Sequence, residues 1–308
     1  MNSNNTTEPV SATPIGLRAT LTWIPVQLVL LFVVLAAVDL ACQILGVAVV
    51  RHSPAPLRDV ARVGCALLLA AVMIGAYRWL VRALERRSPD ELGPAKAARR
   101  LAFGMVTGAT LFALVCMILW SLGAVSFQGI AGASGLGLAL ATAIASAVGE
   151  EIVFRGVAFR LLEDWLGTTI ALILSASIFG LLHAGNHGAT WISTLAIALE
   201  SGVLLGVAYA ATRSLWLPIG LHFGWNFTEG GIFGAAVSGG QYSGLITTRL
   251  SGPPLITGGA FGPEASVVAV VVSAVASAAL MWYAIRTHAW RPRCWRLRRA
   301  GTGAGLRR

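Results

Sequence analysis

Long apolar runs alternate with short polar segments along almost the whole chain. Eight of these runs approach or exceed the roughly 20 residues that a helix needs to cross a bilayer. They span residues 21–50, 61–82, 101–126, 133–158, 168–183, 191–212, 215–234 and 265–286. Backbone amides and carbonyls find no water partner in lipid, so each run is predicted to form a helix. The pattern therefore predicts an all-α fold, a polytopic membrane bundle of about eight transmembrane helices.

The polar segments divide this bundle into regions. Residues 235–264 are rich in Gly, Ser and Pro and are predicted to form an irregular loop. We divide the chain into a disordered cytoplasmic N-terminus, three N-terminal membrane helices, a membrane domain that carries most of the buried polar residues, and a basic cytoplasmic tail. These regions are residues 1–20, 21–128, 129–286 and 287–308.

Composition and charge favour a membrane protein over a soluble or nucleic-acid-binding one. Hydrophobic residues make up 56% of the chain and charged residues only 12%, against about 25% charged residues in soluble domains. The net charge of +10 comes from Lys and Arg that lie between apolar runs and in the tail. This distribution is typical of positive-inside topology and of contact with anionic lipid. We expect an integral membrane protein with both termini cytoplasmic, membrane lipid as a partner and no nucleic-acid partner.

Two further features of the composition narrow the class. The abundance of Ala, Gly and Arg indicates a bacterial gene, which predicts a location in the bacterial plasma membrane. The chain has four cysteines and none of them forms a CxxC pair, so neither a disulfide framework nor a cysteine zinc site is expected.

Adjacent carboxylates stand at the end of the fourth apolar run. A carboxylate at the bilayer centre costs roughly 2.5–3.5 kcal/mol on insertion scales, so Glu150 and Glu151 are expected to have a role. Glu151 and Arg155 are spaced i, i+4 and can pair on one helix face. Glu150 then points about 100° away and is free to act as a general base or acid. The alternative is a structural ion pair between helices.

Imidazoles and an amide lie at related depths in later runs. The fourth and fifth runs form a hairpin that turns near Gly167, which brings His183 to nearly the depth of Glu150. His222 and Asn226 share one helix face and offer donors for a developing oxyanion. Counting from the turn near Ser214 places His222 shallower than Glu150, unless the helix that carries Arg155 projects beyond the membrane. The alternatives are a satisfied core histidine and ordinary interhelical hydrogen bonds.

Three motifs occur in a distinctive order. They are Glu150-Glu151-x-x-x-Arg155, Phe179-x-x-x-His183 and His222-x-x-x-Asn226. In this order they resemble the CAAX protease and bacteriocin-processing (CPBP, or Abi) family of intramembrane endopeptidases, over roughly residues 130–285. The stretch 257–264 also resembles the family's pattern. The resemblance implies that residues 129–286 form a catalytic membrane domain that hydrolyses a peptide bond of a membrane-associated peptide or protein, as in CAAX processing or bacteriocin immunity.

The resemblance also implies roles for these residues. Glu150, helped by His183, would activate a water, while His222 and Asn226 would stabilise the oxyanion. Glu151, paired with Arg155, would tune Glu150. Phe179, like Glu229, which follows Asn226 by three residues, is expected to have a supporting role. Members of the family have been described both as metalloproteases and as metal-independent glutamate proteases. No cofactor is certain, and Zn²⁺ would be held by Glu150, His183 and His222 if it is present.

Other functions also fit these residues. Buried Glu and His side chains also serve proton- or cation-coupled transporters, although no inverted repeat is evident. The pattern around Ser134 matches the GxSG motif of rhomboid serine proteases, but it leaves both glutamates unexplained. An inactive membrane scaffold is a third alternative. Glu200 is expected to support the site or to pair with Arg213, and Asp39 has no predicted role.

Overall fold

The computed structural model describes residues 23–292, and the predicted disordered N-terminus and most of the basic tail lie outside this range. Within it, seven helices are long and apolar enough to cross a membrane. They span Ile24–His52, Ala55–Glu85, Ala97–Ser121, Leu136–Leu166, Thr168–Gly185, Trp191–Thr212 and Val267–Arg286. The predicted all-α polytopic bundle is therefore confirmed.

Several of these spans combine α-helix with a π-helical stretch. The α-helices are α1 Ile24–His52, α2 Arg58–Leu80, α3 Ala97–Ser121, α4 Leu136–Glu151, α5 Arg160–Leu166, α6 Thr168–Leu182, α7 Trp191–Ile197, α8 Val203–Thr212, α9 Trp216–Asn226, α10 Pro254–Thr257 and α11 Val267–Arg286. The π-helical stretches are Val81–Glu85, Ile152–Phe159, Ala198–Gly202 and Phe227–Ile232. Short 3-10 turns are found at Ala55–Leu57, Asp90–Leu92, His183–Gly185 and Pro263–Ala265.

The seventh predicted span, 215–234, is helical but shorter than expected. Helix α9 has 11 residues and its π-helical continuation has six, so the run ends at Ile232. Seventeen residues rise about 26 Å at most, which is less than the roughly 30 Å hydrocarbon core. Most of this helix is buried among its neighbours rather than facing lipid. Its side chains are apolar because they are buried among other helices. A helix buried in this way has the same apolar composition as a helix that faces lipid.

The predicted loop 235–264 contains regular structure. Strand β2, Ile246–Leu250, pairs antiparallel with strand β1, Val125–Ile130, and a register shift falls between Phe127 and Gly129. The third predicted run, 101–126, correspondingly ends as a helix at Ser121. A single pair of short strands gives a weaker sequence signal than apolar runs of 20 residues. The predicted helical run 101–126 therefore includes the first residues of β1. The pair ties the end of α3 to the segment before α11.

Glycines bring α3 and α9 into backbone contact. Gly104 and Gly108 of α3 face Gly220 and Gly224 of α9, and all four are spaced as GxxxG pairs. A Cβ atom added at any of them would overlap backbone atoms of the opposite helix. Small residues at this spacing allow membrane helices to pack closely by van der Waals contact. Helix α3, from the N-terminal region, therefore supports the helix that carries His222.

Helix α1 packs along one stripe and exposes its other faces. Gln27, Leu31 and Leu35 are its buried residues, each four positions after the last. Large apolar side chains on the other faces, such as Leu45, are exposed, as expected for a helix that faces lipid. The ring of Phe32 meets the ring of Phe154 edge-on, with centroids 5.7 Å apart. One face of α1 is therefore held against the helix that carries both glutamates.

Ion pairs cluster around the end of the Leu136–Leu166 span. Arg160 donates to both oxygens of Glu85, at 2.8 and 2.5 Å. Arg87 donates to both oxygens of Glu91, at 2.9 and 2.8 Å, and Tyr77 donates to the same carboxylate. These bonds link the end of α2, the following 3-10 turn and α5.

A second ionic cluster forms around Glu163, which is also on α5. Arg213 donates to Glu163, and Thr168 donates to its other oxygen at 2.5 Å. The sequence-based pairing of Arg213 with Glu200 is therefore wrong. Arg213 follows α8 in a left-handed backbone conformation, with φ of 53°, which turns it toward α5 and away from the middle of its own helix.

Candidate active site

The paired glutamates lie where α4 changes into a π-helical stretch. Glu151 is completely buried, and its Oε1 accepts a hydrogen bond of 2.9 Å from Nη1 of Arg155, which is also buried. Nη2 of Arg155 donates to the carbonyl oxygens of Ser201 and Gly202, at 2.9 and 3.2 Å. These carbonyls lie at the end of the next π-helical stretch, where the regular i to i−4 bonding is interrupted. Arg155 thus joins both irregular stretches to Glu151.

His222 reaches the same carboxylate from α9. Its Nδ1 lies 3.0 Å from Glu151 Oε1, and the imidazole is buried. Because a carboxylate only accepts hydrogen bonds, Nδ1 carries the hydrogen and Nε2 is the nitrogen left for chemistry. One turn further along α9, Nδ2 of Asn226 donates to Ser146 Oγ at 3.2 Å. Both side chains therefore point toward α4, as their shared helix face predicts.

His183 lies at the end of α6 and is linked to the glutamates through aromatic contacts. Its Nδ1 donates to the carbonyl oxygen of Phe179 at 2.8 Å, which leaves Nε2 free to accept a proton. The His183 and Phe179 rings have centroids 4.6 Å apart. The guanidinium of Arg155 also lies over the Phe179 ring, 4.7 Å from its centre. Phe179 therefore connects His183 to Arg155 and, through it, to Glu151.

Glu150 is half-buried, and its Oε2 is buried without a hydrogen-bond partner in the described part of the chain. Because this oxygen is shielded from solvent, the carboxylate faces the interior of the bundle. No hydrogen bond joins Glu150 to either imidazole within residues 23–292. Glu151 is therefore held by hydrogen bonds and Glu150 is not. The i, i+4 spacing predicts this difference, because it pairs Glu151 with Arg155 and leaves Glu150 free.

The length of the helix that carries both glutamates removes the predicted mismatch of depths. The continuous span Leu136–Leu166 has 31 residues, which rise about 46 Å, well beyond a hydrocarbon core of roughly 30 Å. The hairpin turns at Gly167, whose φ of 80° suits glycine. Because the span overshoots the core, Glu151 and His222 meet even though His222 follows so soon after the start of α9.

Further carboxylates surround the imidazoles. Glu264 is buried and accepts hydrogen bonds from the amide and hydroxyl of Ser238. Glu229 accepts from the indole of Trp225 and the amide of Glu264, at 3.1 and 3.3 Å. Glu200 is bonded to Ser201 and Ser273. Glu229 and Glu264 fasten the segment before α11 onto α9, which is a supporting position.

A small cavity opens beside His222. It has a volume of about 10 Å³, close to the space needed by one water molecule. The cavity is lined by Glu200, Ser201, Leu204, Leu205, Leu221, His222, Trp225 and Asn226. Glu150 and His183 do not line it. Polar groups of Glu200, His222 and Asn226 supply the partners that a buried water needs.

The predicted metal ligands are not grouped around one point. Across residues 23–292, no three His, Cys, Asp or Glu side chains are grouped so that they could hold a metal ion. The set Glu150, His183 and His222 is therefore not arranged as a coordination shell.

Ser134 lies outside this constellation. It is exposed in the turn before α4, four turns of helix away from Glu150. The three motifs do not include Asp39, Ser146 and Glu264, which the structure places near the site. The stretch that contains Glu264 carried a family-like signal, whereas Asp39 and Ser146 carried none beyond being polar in apolar runs.

Comparison with known proteins identifies the region that contains all three motifs. Residues 132–228, less than half of the chain, match the family model described as type II CAAX prenyl endopeptidase Rce1-like. Neither a search of curated proteins nor a search of solved structures returned a match. The match agrees with the family predicted from the motifs: residues 132–228 are similar to the Rce1-like type II CAAX prenyl endopeptidases.

Proposed function

We propose that this protein is an intramembrane endopeptidase that hydrolyses a peptide bond of a membrane-associated substrate with a glutamate-activated water. The proposal rests on one observation. The side chains of all three motifs converge on the α4–π junction: Arg155 and His222 bind Glu151, and Phe179 contacts both Arg155 and His183. The family match over residues 132–228 supports the general reaction, and the arrangement of hydrogen bonds supports the division of roles.

Glu150 is proposed as the general base. It is the carboxylate without fixed partners, so its oxygens can accept the proton of a water that attacks the scissile carbonyl carbon. His183 assists through Nε2, because its Nδ1 hydrogen is already committed to the Phe179 carbonyl. The proton taken from water then passes to the leaving amine as the C–N bond breaks, which gives a carboxylate and an amine.

His222 and Asn226 are proposed to stabilise the oxyanion. Nε2 of His222 donates a hydrogen bond only in the imidazolium form, and the Glu151 carboxylate behind Nδ1 stabilises that form. The amide nitrogen of Asn226 has two hydrogens, of which Ser146 takes one. The second remains for the substrate oxygen. A donor of this kind contributes about 10²–10³ in kcat.

The test is cleavage by the purified full chain in detergent and in lipid. A fluorogenic peptide that ends in a CAAX motif is offered with and without a prenyl group. Glu150→Gln is expected to lower kcat by about 10²–10⁴, as removal of a general base does. His183→Ala, His222→Ala and Asn226→Ala are each expected to lower kcat by at least about 10²-fold.

Controls separate this function from its rivals. His187→Ala replaces an exposed loop histidine and Ser134→Ala an exposed turn serine, so both variants should cleave like wild type. Cleavage that persists in Glu150→Gln but is lost in Ser134→Ala would establish the serine mechanism instead. Ion or proton flux through liposomes without cleavage would establish a transporter. Activity that a chelator abolishes and Zn²⁺ restores would overturn the metal-independent mechanism.

A further inference from the structure

The side chain of Asn226 is held by a residue of the glutamate helix. Nδ2 of Asn226 donates to Ser146 Oγ at 3.2 Å, and the Asn226 side chain makes no other hydrogen bond within residues 23–292. Asn226 is the last residue of α9, directly before the π-helical stretch Phe227–Ile232. Among the described residues, the bond to Ser146 is therefore what fixes the direction of this amide.

Helix α4 supplies the partner of each proposed oxyanion donor. Glu151 accepts a hydrogen bond from His222, and Ser146 accepts one from Asn226. The two acceptors are five residues apart on α4, a rise of about 7.5 Å, and the two donors are four residues apart on α9, a rise of about 6 Å. These rises are similar and the pairs run in opposite order along the two helices, so both bonds fit one antiparallel contact.

The hydroxyl of Ser146 is directed differently from that of the threonine one turn before it. Thr142 donates to the carbonyl oxygen of Leu138 at 3.0 Å, the bond to residue i−4 that is common for hydroxyl groups in helices. Ser146 makes no such bond to its own helix in the described part of the chain, and its oxygen contacts α9 instead. Ser146 is thus an interhelical acceptor, whereas Thr142 is bonded within its own helix.

A carboxamide can stabilise an oxyanion only in one of its two orientations. Its nitrogen carries two hydrogens in the amide plane, and its oxygen only accepts hydrogen bonds. When Ser146 takes one hydrogen of Asn226, the direction of the second hydrogen is fixed. Without that bond the amide can turn and present its oxygen to the negative charge. Donors that are oriented before the reaction need no reorganisation as the charge develops.

We propose that Ser146 is a positioning residue of the active site, whose Oγ orients the Asn226 amide so that its second N–H faces the substrate oxygen. The proposal rests on the proposed function of Asn226 in stabilising the oxyanion. Ser146 belongs to none of the three motifs. It acts through Asn226 and not on the reacting atoms.

Two substitutions at Ser146 test the need for its oxygen. Ser146→Ala removes the acceptor, so kcat should fall about tenfold or more while KM stays unchanged. Ser146→Thr keeps the hydroxyl, so kcat should stay within about threefold of wild type. Thr142→Ala is the matched control, because it removes a hydroxyl on the same helix that is bonded to the Leu138 carbonyl oxygen. This control should cleave like wild type.

A double-mutant cycle separates positioning from direct contact with the substrate. In an Asn226→Ala background, adding Ser146→Ala should change kcat by less than about twofold, because the amide that Ser146 orients is already absent. The full loss in that background would mean that Ser146 acts on its own and would overturn the proposal. Wild-type kcat in Ser146→Ala, or an equal loss in Ser146→Ala and Ser146→Thr, would also overturn it.

Hydrogen exchange of the Asn226 amide tests the orientation without catalysis. In protein labelled with ¹⁵N-asparagine, the Asn226 signals are identified by their loss in Asn226→Ala. The hydrogen bonded to Ser146 should exchange more slowly than its neighbour in wild type and in Thr142→Ala, and this difference should vanish in Ser146→Ala. Exchange that Ser146→Ala leaves unchanged would overturn the proposal. If wild type cleaves no peptide, the proposed function fails, whereas exchange still decides whether Ser146 orients Asn226.

Discussion

Arg155 is the residue on which most contacts of the site depend. Its guanidinium binds the Glu151 carboxylate, two backbone carbonyls and the face of Phe179. A planar guanidinium can serve these partners together because its donors point in fixed, divergent directions. An ammonium group has the same charge without this geometry. The Arg155 side chain therefore fixes how far its own helix lies from α6 and from the stretch Ala198–Gly202.

Arg155→Lys tests that geometry. Lysine can neutralise Glu151 but cannot also reach both carbonyls and cover the Phe179 ring, so kcat should fall at least about tenfold and the melting temperature should drop. Peptide cleavage and thermal unfolding of the purified variant measure the two effects. Arg62→Lys, at a partly exposed surface pair with Asp59, is the control that should change neither quantity. Wild-type activity in Arg155→Lys would show that charge alone suffices.

The sequence predicted some elements of the fold and their internal contacts, but not others. The helices of the hairpin around Gly167 and the pair Glu151–Arg155 followed from apolar run length and i, i+4 spacing. Strand β2 did not, because its pairing with β1 joins segments that are more than 100 residues apart. The position of Asp39 against Gly149 also depends on how α1 rotates and packs, which no local pattern encodes. Spacing within one helix is predictable, whereas contacts between helices require the assembled fold.

Packing between α3 and α9 gives a prediction at the scale of elements. Gly108→Ala or Gly224→Ala inserts a methyl group where the facing backbone lies in contact, so α9 must shift together with His222. Overpacking of this kind typically costs about 1–3 kcal/mol, and cleavage should fall with stability. Gly64→Ala and Gly75→Ala on α2 are the matched controls, since nothing lies within 4 Å of a Cβ atom at either position.

Thermal unfolding and cleavage of the four variants distinguish the outcomes. The control variants should be neutral or slightly stabilised, because alanine favours helix over glycine. Equal stability of all four variants would contradict a close contact between α3 and α9.

The whole molecule is one bundle in which parts outside the family match support the site. Residues 132–228 contain the three motifs, yet α3 packs on α9, and α1 reaches the glutamate helix. The ionic cluster around Glu91 joins α2, α5 and the start of α9, where the amide of Leu215 donates to the Glu91 carbonyl oxygen at 2.8 Å. Stability of the N-terminal helices and placement of His222 are therefore linked.

The pH dependence of stability tests this link. Burial raises the pKa of Glu91, but hydrogen bonds from Arg87 and Tyr77 outweigh burial, so the pKa lies below its ordinary value. A carboxyl group of this kind stabilises the fold above its ordinary pKa of about 4.3, and this contribution is lost as the pH falls through the folded-state pKa. Glu91→Gln should lower the melting temperature at pH 7 and match wild type more closely near pH 3.

Tryptophan fluorescence during heating in detergent measures this difference at each pH. Asp90→Asn, an exposed neighbour, should behave like wild type throughout. A melting-temperature difference between Glu91→Gln and wild type that is independent of pH would contradict the assignment.

The π-helical stretches impose a strict count of residues around the site. Each π turn holds one residue more than an α turn, and such stretches begin after Glu151, end at Gly202 and begin again after Asn226. Losing a single residue from Ile152–Phe159 would convert a π turn into an α turn, so the helix after it would keep its register, but the widened turn that carries Arg155 would be lost. Homologous sequences that keep the Arg155 contacts should therefore keep the number of residues from Glu150 to Arg160, while insertions and deletions are tolerated in the connecting segments.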